Sequence, residues 1–109
     1  MNVISNFKFF ENASGSAESN VLNNPNKGGV LTIEVQAAGT ISLAIQGLVN
    51  TELQNPTYTS LAAIDMNALK KATTITKAGI YSFGVDGINK IKAVLTSGSG
   101  VTVFGRLGD

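Results

Sequence analysis

Carboxylates are the side chains of this sequence that come nearest to catalytic chemistry. Glu34 and Asp65 lie in segments that alternate as strands, and Asp86 lies in a turn. A glycosidase would need two carboxyls about 5–10 Å apart across a cleft, and nothing in the sequence brings two of these together. Histidine and cysteine are absent, which removes most general-base and thiol chemistry and most zinc and copper sites. We therefore predict a non-enzymatic protein with no catalytic residue, metal or cofactor.

Two glycine-containing segments resemble ligand loops only superficially. Asp86-Gly87-Ile88-Asn89 lacks the repeated acidic ligands and the distal glutamate of a calcium loop. Gly98-Ser99-Gly100 is followed by an alternating, strand-like segment, so no helix amino terminus is available to bind phosphate. Both segments are predicted to be turns between strands.

Tyr58 is the one candidate for a ligand-binding aromatic ring. Sugar-binding β-sandwiches stack their ligands on exposed aromatic faces, and this chain has no tryptophan and two tyrosines. Tyr81 alternates with residues expected in the core, whereas Tyr58 follows Pro56 and Thr57 in a polar stretch. A small carbohydrate-binding β-sandwich module, with Tyr58 as its ligand contact, is therefore the alternative to a structural protein.

The charge distribution argues against nucleic acid and membranes as partners. The formal net charge is +1, and the paired lysines Lys90 and Lys92 are more typical of a solvated face or a protected edge strand than of a nucleic-acid site. The amino terminus has no basic segment leading into an apolar run, so we expect no signal peptide. No apolar run approaches the roughly 18 residues of a membrane span.

Period-two alternation of apolar and polar residues predicts strands through most of the chain. We predict a hairpin around Ala38-Gly39 and a three-stranded meander over residues 78–107. The residues predicted to face the core are Leu31, Ile33, Val35, Ile41, Leu43, Ile45, Tyr81, Phe83, Val85, Ile91, Ala93, Leu95, Val101, Val103 and Leu107. About eight strands with long connections predict an all-β fold, a two-sheet antiparallel β-sandwich of jelly-roll-like type. Residues 1–109 are expected to form one domain.

The amino-terminal segment, residues 1–26, is expected to be an arm and a loop. Residues 4–10 are predicted to be a strand, with Phe7 and Phe9 on one face and Lys8 and Phe10 on the other. Such a strand could close the core of its own chain, or it could be an apolar arm that docks on a neighbouring subunit.

The composition favours association with other protein surfaces. Charged residues make up 14% of the chain, compared with about 25% in an average soluble domain. Small β domains tolerate surfaces of Ser, Thr and Asn, but such a surface also suits a protein packed against copies of itself. We therefore predict a homo-oligomer. The candidate interface residues are Phe7, Phe9, Phe10, Ala62, Ile64, Met66, Val94 and Phe104.

The chain beyond its amino-terminal segment resembles the carboxyl-terminal half of small structural proteins of bacteriophages and prophages. The resemblance spans about residues 30–109 and rests on the segments TKAGIYSFGVDGI, from Thr76, and VTVFGRL, from Val101. It implies a jelly-roll-like virion component, such as a capsid decoration protein or a head-fibre base, assembled in the host cytoplasm and attached to a larger assembly such as a capsid. Because such appendages are commonly trimers, a homotrimer is favoured. The resemblance implies no enzyme.

Overall fold

The computed structural model describes residues 3–24, 29–49, 57–66 and 68–108, and these ranges contain eleven β-strands. The strands are β1 (Val3–Ala13), β2 (Ala17–Glu18), β3 (Leu22–Asn23), β4 (Val30–Gln36), β5 (Ser42–Leu48), β6 (Thr59–Ser60), β7 (Ala63–Asp65), β8 (Lys70–Ala72), β9 (Gly79–Gly84), β10 (Lys90–Ser97) and β11 (Val101–Gly108). Sheet A has the order β1-β11-β4-β9-β7-β8, and sheet B has the order β2-β10-β5-β6, with β3 also paired to β10. The predicted two-sheet antiparallel sandwich is confirmed, with eleven strands in place of about eight.

One hydrophobic cluster fills the space between the sheets. Each of the fifteen residues that alternation predicted to face the core is buried and belongs to this cluster. Buried apolar side chains are worth about 1.5–3 kcal/mol each before conformational entropy is subtracted. Because a shift of one residue would exchange the two faces of a strand, this cluster also fixes the register of each long strand.

The predicted hairpin and meander are wrong. β4 lies in sheet A and β5 in sheet B, and from β9 in sheet A the chain crosses to sheet B for β10 and crosses back for β11. Each of these connections therefore spans the sandwich and does not reverse within one sheet. β4 pairs with β9 and β11, while β10 pairs with β5. Alternation does not distinguish the two cases, because a strand of either sheet buries one face.

The amino-terminal strand β1 forms one edge of sheet A and pairs with β11 along its length. The predicted alternation of Phe7 and Phe9 against Lys8 and Phe10 fails, because the register shifts between Lys8 and Phe10. Such a bulge gives one strand an extra residue and changes the phase of its side chains. Phe9 and Phe10 are consequently both buried, at 8% and 7% exposure. Of the two alternatives for this segment, the structure has the strand that closes its own core.

Tyr81 combines a buried ring with a hydrogen-bonded hydroxyl. Its hydroxyl donates to the carbonyl oxygen of Lys77 at 2.8 Å. Burial, and to a smaller extent the negative charge of Asp65, raise the pKa of Tyr81 above its ordinary value of about 10. The folded protein therefore holds this proton more tightly than the unfolded chain.

The raised pKa of Tyr81 predicts a loss of stability in alkali. The neutral phenol of Tyr81 contributes fully to the free energy of unfolding below about pH 10. This contribution is lost as the pH rises through the pKa that Tyr81 has in the folded protein. We expect the urea midpoint of the wild type to fall as the pH rises above about 10. Tyr81→Phe is the control, since it should start about 1 kcal/mol less stable through the lost hydrogen bond and then fall less steeply. Equal slopes for both proteins would contradict the prediction.

Candidate functional site

The outer face of sheet A, which is turned away from the core, carries a continuous row of side chains. Lys8 of β1 stands opposite Phe104 of β11. Phe104 stands opposite Glu34 of β4, which in turn stands opposite Ile80 of β9. Met66 follows β7 and extends the row, because its N–H donates to the Ile80 carbonyl oxygen at 2.9 Å. The register thus places the Glu34 carboxylate between the Phe104 ring and Ile80, with Met66 on the far side of Ile80.

Four large apolar side chains on this face are left in contact with solvent. Ile64, Met66, Ile80 and Phe104 are each 39–48% exposed, and Ile64 stands opposite Ser82 of β9 in the neighbouring row. We call these four residues the apolar patch. Single exposed apolar residues are ordinary on protein surfaces, whereas a group on one sheet face is typical of an interaction site.

A shallow depression of about 330 Å³ opens on the same face of sheet A. Ile80 and Phe104 are its exposed apolar lining residues, and Glu34 and Arg106 are its charged ones. Within the ranges that the structure describes, neither Glu34 nor Arg106 forms an ion pair. The depression therefore offers apolar contact together with one unpaired acceptor and one unpaired donor group.

An ion pair lies at the β1 edge of this face. The Lys8 ammonium group lies 2.8 Å from a carboxylate oxygen of Glu11 and 5.2 Å from the centre of the Phe104 ring. The hydrogen bond from Lys8, followed by its charge, lowers the pKa of Glu11. Lys8 therefore lies over the Phe104 ring while its own charge is already paired with Glu11.

The structure separates the predicted interface residues into several environments. Ile64, Met66 and Phe104 lie together in the apolar patch, and Ala62 is exposed just before β7. Val94 lies on the opposite side of the sandwich, on β10 of sheet B, so it does not share a face with Phe104. The other three are the phenylalanines of β1, of which Phe9 and Phe10 are buried and Phe7 is half-buried.

Burial explains why the phenylalanines of β1 offer little contact surface. Phe9 and Phe10 belong to the core of their own chain, which corrects their assignment as interface residues. Phe7 is half-buried and packs edge-to-face on Phe9, with ring centres 4.8 Å apart and planes at 82°. Aromatic pairs of this geometry add about 0.5–1.5 kcal/mol to the burial of the rings.

Tyr58 lies next to β6 and has one ring face already occupied. The Lys92 ammonium group stands 4.3 Å from the centre of the ring and is ion-paired with Glu18 at 2.7 Å. A sugar could stack on this face only by displacing a lysine that holds two partners. This face of the Tyr58 ring is therefore not free to act as a stacking platform.

The three carboxylates considered for catalysis do not converge. Glu34 is exposed on the outer face of sheet A, Asp65 stands opposite Lys70 in the register of β7 with β8, and Asp86 is exposed between β9 and β10. No group of three His, Cys, Asp or Glu residues that could hold a metal ion occurs in the described part of the chain. Among the same residues, no helix has the length and hydropathy needed to cross a membrane.

Sequence reasoning missed two of the most exposed apolar residues. The exposure of Ile80 could have been predicted, because the alternation that buries Tyr81 and Phe83 also turns Ile80 outward. Leu69, at 76% exposure, carries no periodic signal because it lies in the turn between β7 and β8. A residue at the tip of a turn can be placed only when the partners of both strands are known.

Comparisons with solved structures find the same fold in proteins of prophages. No protein-family model and no curated protein sequence matches this chain. The SPBc2 prophage-derived protein YomS superposes with a TM-score of 0.80 at 19% identity, over 94% of this chain and 90% of that one. The PBSX exported protein XepA superposes with a TM-score of 0.82 at 20% identity, over 94% of this chain, which spans 37% of XepA. The β-sandwich of this chain is thus a fold that occurs in prophage-derived proteins.

Proposed function

We propose that this chain is a non-enzymatic structural subunit of a phage-like particle, one that self-associates and docks on a larger assembly such as a capsid. The observation that carries the proposal is the apolar patch of sheet A. Ile64, Met66, Ile80 and Phe104 come from three strands and one turn, yet they share one exposed face. A monomer gains nothing from such a face, whereas a second protein surface would remove it from water.

Other features support the phage context. The sandwich has the fold of two prophage proteins, and segments of its sequence resemble phage structural proteins. Consecutive long strands alternate between the two sheets, as in β4 to β5 and β9 to β10 to β11, a connection type shared with jelly rolls. Decoration of a capsid or a head-fibre base would use a rigid sandwich of this kind. The particle is where we propose that the chain resides, and detection of the chain in purified particles would test that location.

Sedimentation of the purified chain tests self-association. We expect a species heavier than the 11.3 kDa of one chain at tens of micromolar protein, with about three times that mass for the favoured trimer. The double variant Ile80→Ser/Phe104→Ser should raise the dissociation constant at least tenfold, which corresponds to about 1.4 kcal/mol. We expect this loss because buried aromatic and aliphatic anchors carry most of the energy of an interface.

A matched control replaces exposed apolar residues outside the patch. Val21 and Val49 are 42% and 58% exposed, so Val21→Ser/Val49→Ser removes similar hydrophobic surface and should leave the mass unchanged. A wild type that sediments as a monomer would refute self-association. Equal weakening by both double variants would refute the patch as its site.

A further inference from the structure

The hairpin between β7 and β8 presents an apolar side chain in a strained position. Leu69 has a φ of 57° and is 76% exposed, while left-handed backbone is costly for a bulky residue and cheap for asparagine or glycine. The turn is held by hydrogen bonds from the Leu69 N–H to the Asp65 carbonyl oxygen and from the Ala68 N–H to the Asp65 carboxylate. Neither folding nor solubility favours leucine here, which suggests that its side chain has a partner.

The depression on the outer face of sheet A matches this hairpin tip in shape and chemistry. It is open to solvent, and its 330 Å³ accommodates a four-carbon side chain between Ile80 and Phe104. Leu69 is followed along the chain by the exposed Lys70 and Lys71, and the depression contains the unpaired Glu34 carboxylate. Arg106, on the far side from β8, can donate to the carbonyl oxygens of a docked turn. An apolar knob flanked by ammonium groups thus meets an apolar depression with a carboxylate.

The tip cannot enter the depression of its own chain. Three to four strand positions separate β8 from the centre of the depression between β4 and β11. At about 4.8 Å per strand this is about 15–20 Å, and the tip is fixed by the pairing of β7 with β9. The occupant that fits the depression is therefore the hairpin of a second copy.

We propose that the Leu69 hairpin tip of one subunit inserts into the sheet A depression of the next. This inference rests on the proposed self-association and names the two surfaces that meet in it. Tip and depression are different surfaces of the same chain, and the contact that we propose is head-to-tail, so that each subunit uses one surface toward each neighbour. A contact of this type closes a ring when its rotation divides a full turn.

The absence of cysteine from the chain allows a direct test by disulfide cross-linking. Leu69→Cys places a thiol on the tip, and Thr32→Cys places one in the depression. The two variants are mixed in urea, refolded together and oxidised, and far-UV circular dichroism confirms that both have the wild-type fold. We expect a disulfide-linked pair at least tenfold more abundant than in a mixture of Leu69→Cys with Thr96→Cys, whose thiol is exposed on β10 of sheet B.

Disulfide geometry makes this readout specific, since the two Cα atoms must approach within about 7 Å. Each variant oxidised alone should give little linked dimer, because two tips do not meet in a head-to-tail contact. Equal linkage to Thr32→Cys and Thr96→Cys, with the wild type still oligomeric, would overturn the inference and leave the proposed self-association standing. A monomeric wild type would remove both.

Leu69→Asn separates docking from folding. Asparagine tolerates left-handed backbone, so the urea midpoint of the monomer should stay equal or rise. If the tip docks, the same substitution should raise the dissociation constant of self-association at least tenfold. An unchanged dissociation constant would assign Leu69 no part in assembly and overturn the inference.

Discussion

Replacement of Phe83 by alanine is expected to lower the free energy of unfolding by about 3–5 kcal/mol. The Phe83 ring is 2% exposed and is among the largest side chains buried between the sheets. It stands on β9 opposite Leu31 of β4, near the middle of sheet A, where the surrounding strands have little freedom to close the cavity. Since small domains are stable by about 5–15 kcal/mol, this one substitution would remove a large part of the total. Urea denaturation with matched slopes measures the loss.

Phe104→Ala is the matched control for Phe83→Ala. It deletes the same ring from the outer face of sheet A, where Phe104 is exposed, so the free energy of unfolding should change by less than about 1 kcal/mol. Both proteins must be compared at a concentration where they are monomers, because association stabilises the folded state. A loss below 1 kcal/mol for Phe83→Ala would mean that β9 presents its other face to the core.

The face that each strand buries follows from the sequence, because alternation is a local property. Leu31, Ile33 and Val35 had to share one face whatever strand lay beside them, and the structure buries all three. The partner of a strand is not local. β4 and β5 are joined by a short glycine-containing connection that would suit a hairpin, yet they lie in different sheets. Strands of two residues, such as β2 and β3, are too short to produce any alternation.

The candidate site could be predicted only in part, for the same reason. Ile64 and Phe104 were identified as outward-facing from their own strands, but their common face depends on β9, β4 and β11 lying side by side. Val94 and Phe104, which looked like neighbours in a meander, lie on opposite sides of the sandwich because β10 and β11 belong to different sheets. At Phe9 and Phe10 the local pattern itself was broken by a bulge, which leaves no signal in residue type.

Alanine at Gly98 is expected to destabilise the fold by about 2–6 kcal/mol, through two costs that act together. Gly98 lies in the connection by which β10 of sheet B crosses to β11 of sheet A. Its φ of 152° is unfavourable for residues with a Cβ atom, at a cost of about 1–3 kcal/mol. An added Cβ would also lie 2.9 Å from Val101 Cγ2 and 3.0 Å from Ile41 Cγ2. Both of these side chains are buried, so overpacking costs about 1–3 kcal/mol more.

Two further glycines separate the backbone cost of Gly98→Ala from its packing cost. Gly15 has a φ of 76° and nothing within 4 Å of an added Cβ, so Gly15→Ala should lose only about 1–2 kcal/mol. Gly39, in the crossing between β4 and β5, has the same open space without a positive φ, and Gly39→Ala should be neutral or stabilising by about 0.4–1 kcal/mol. Urea denaturation of the three variants should rank them in this order. If Gly98→Ala were no worse than Gly15→Ala, the crossing between the sheets would not be packed against Val101 and Ile41, because only contact with those two side chains separates the variants.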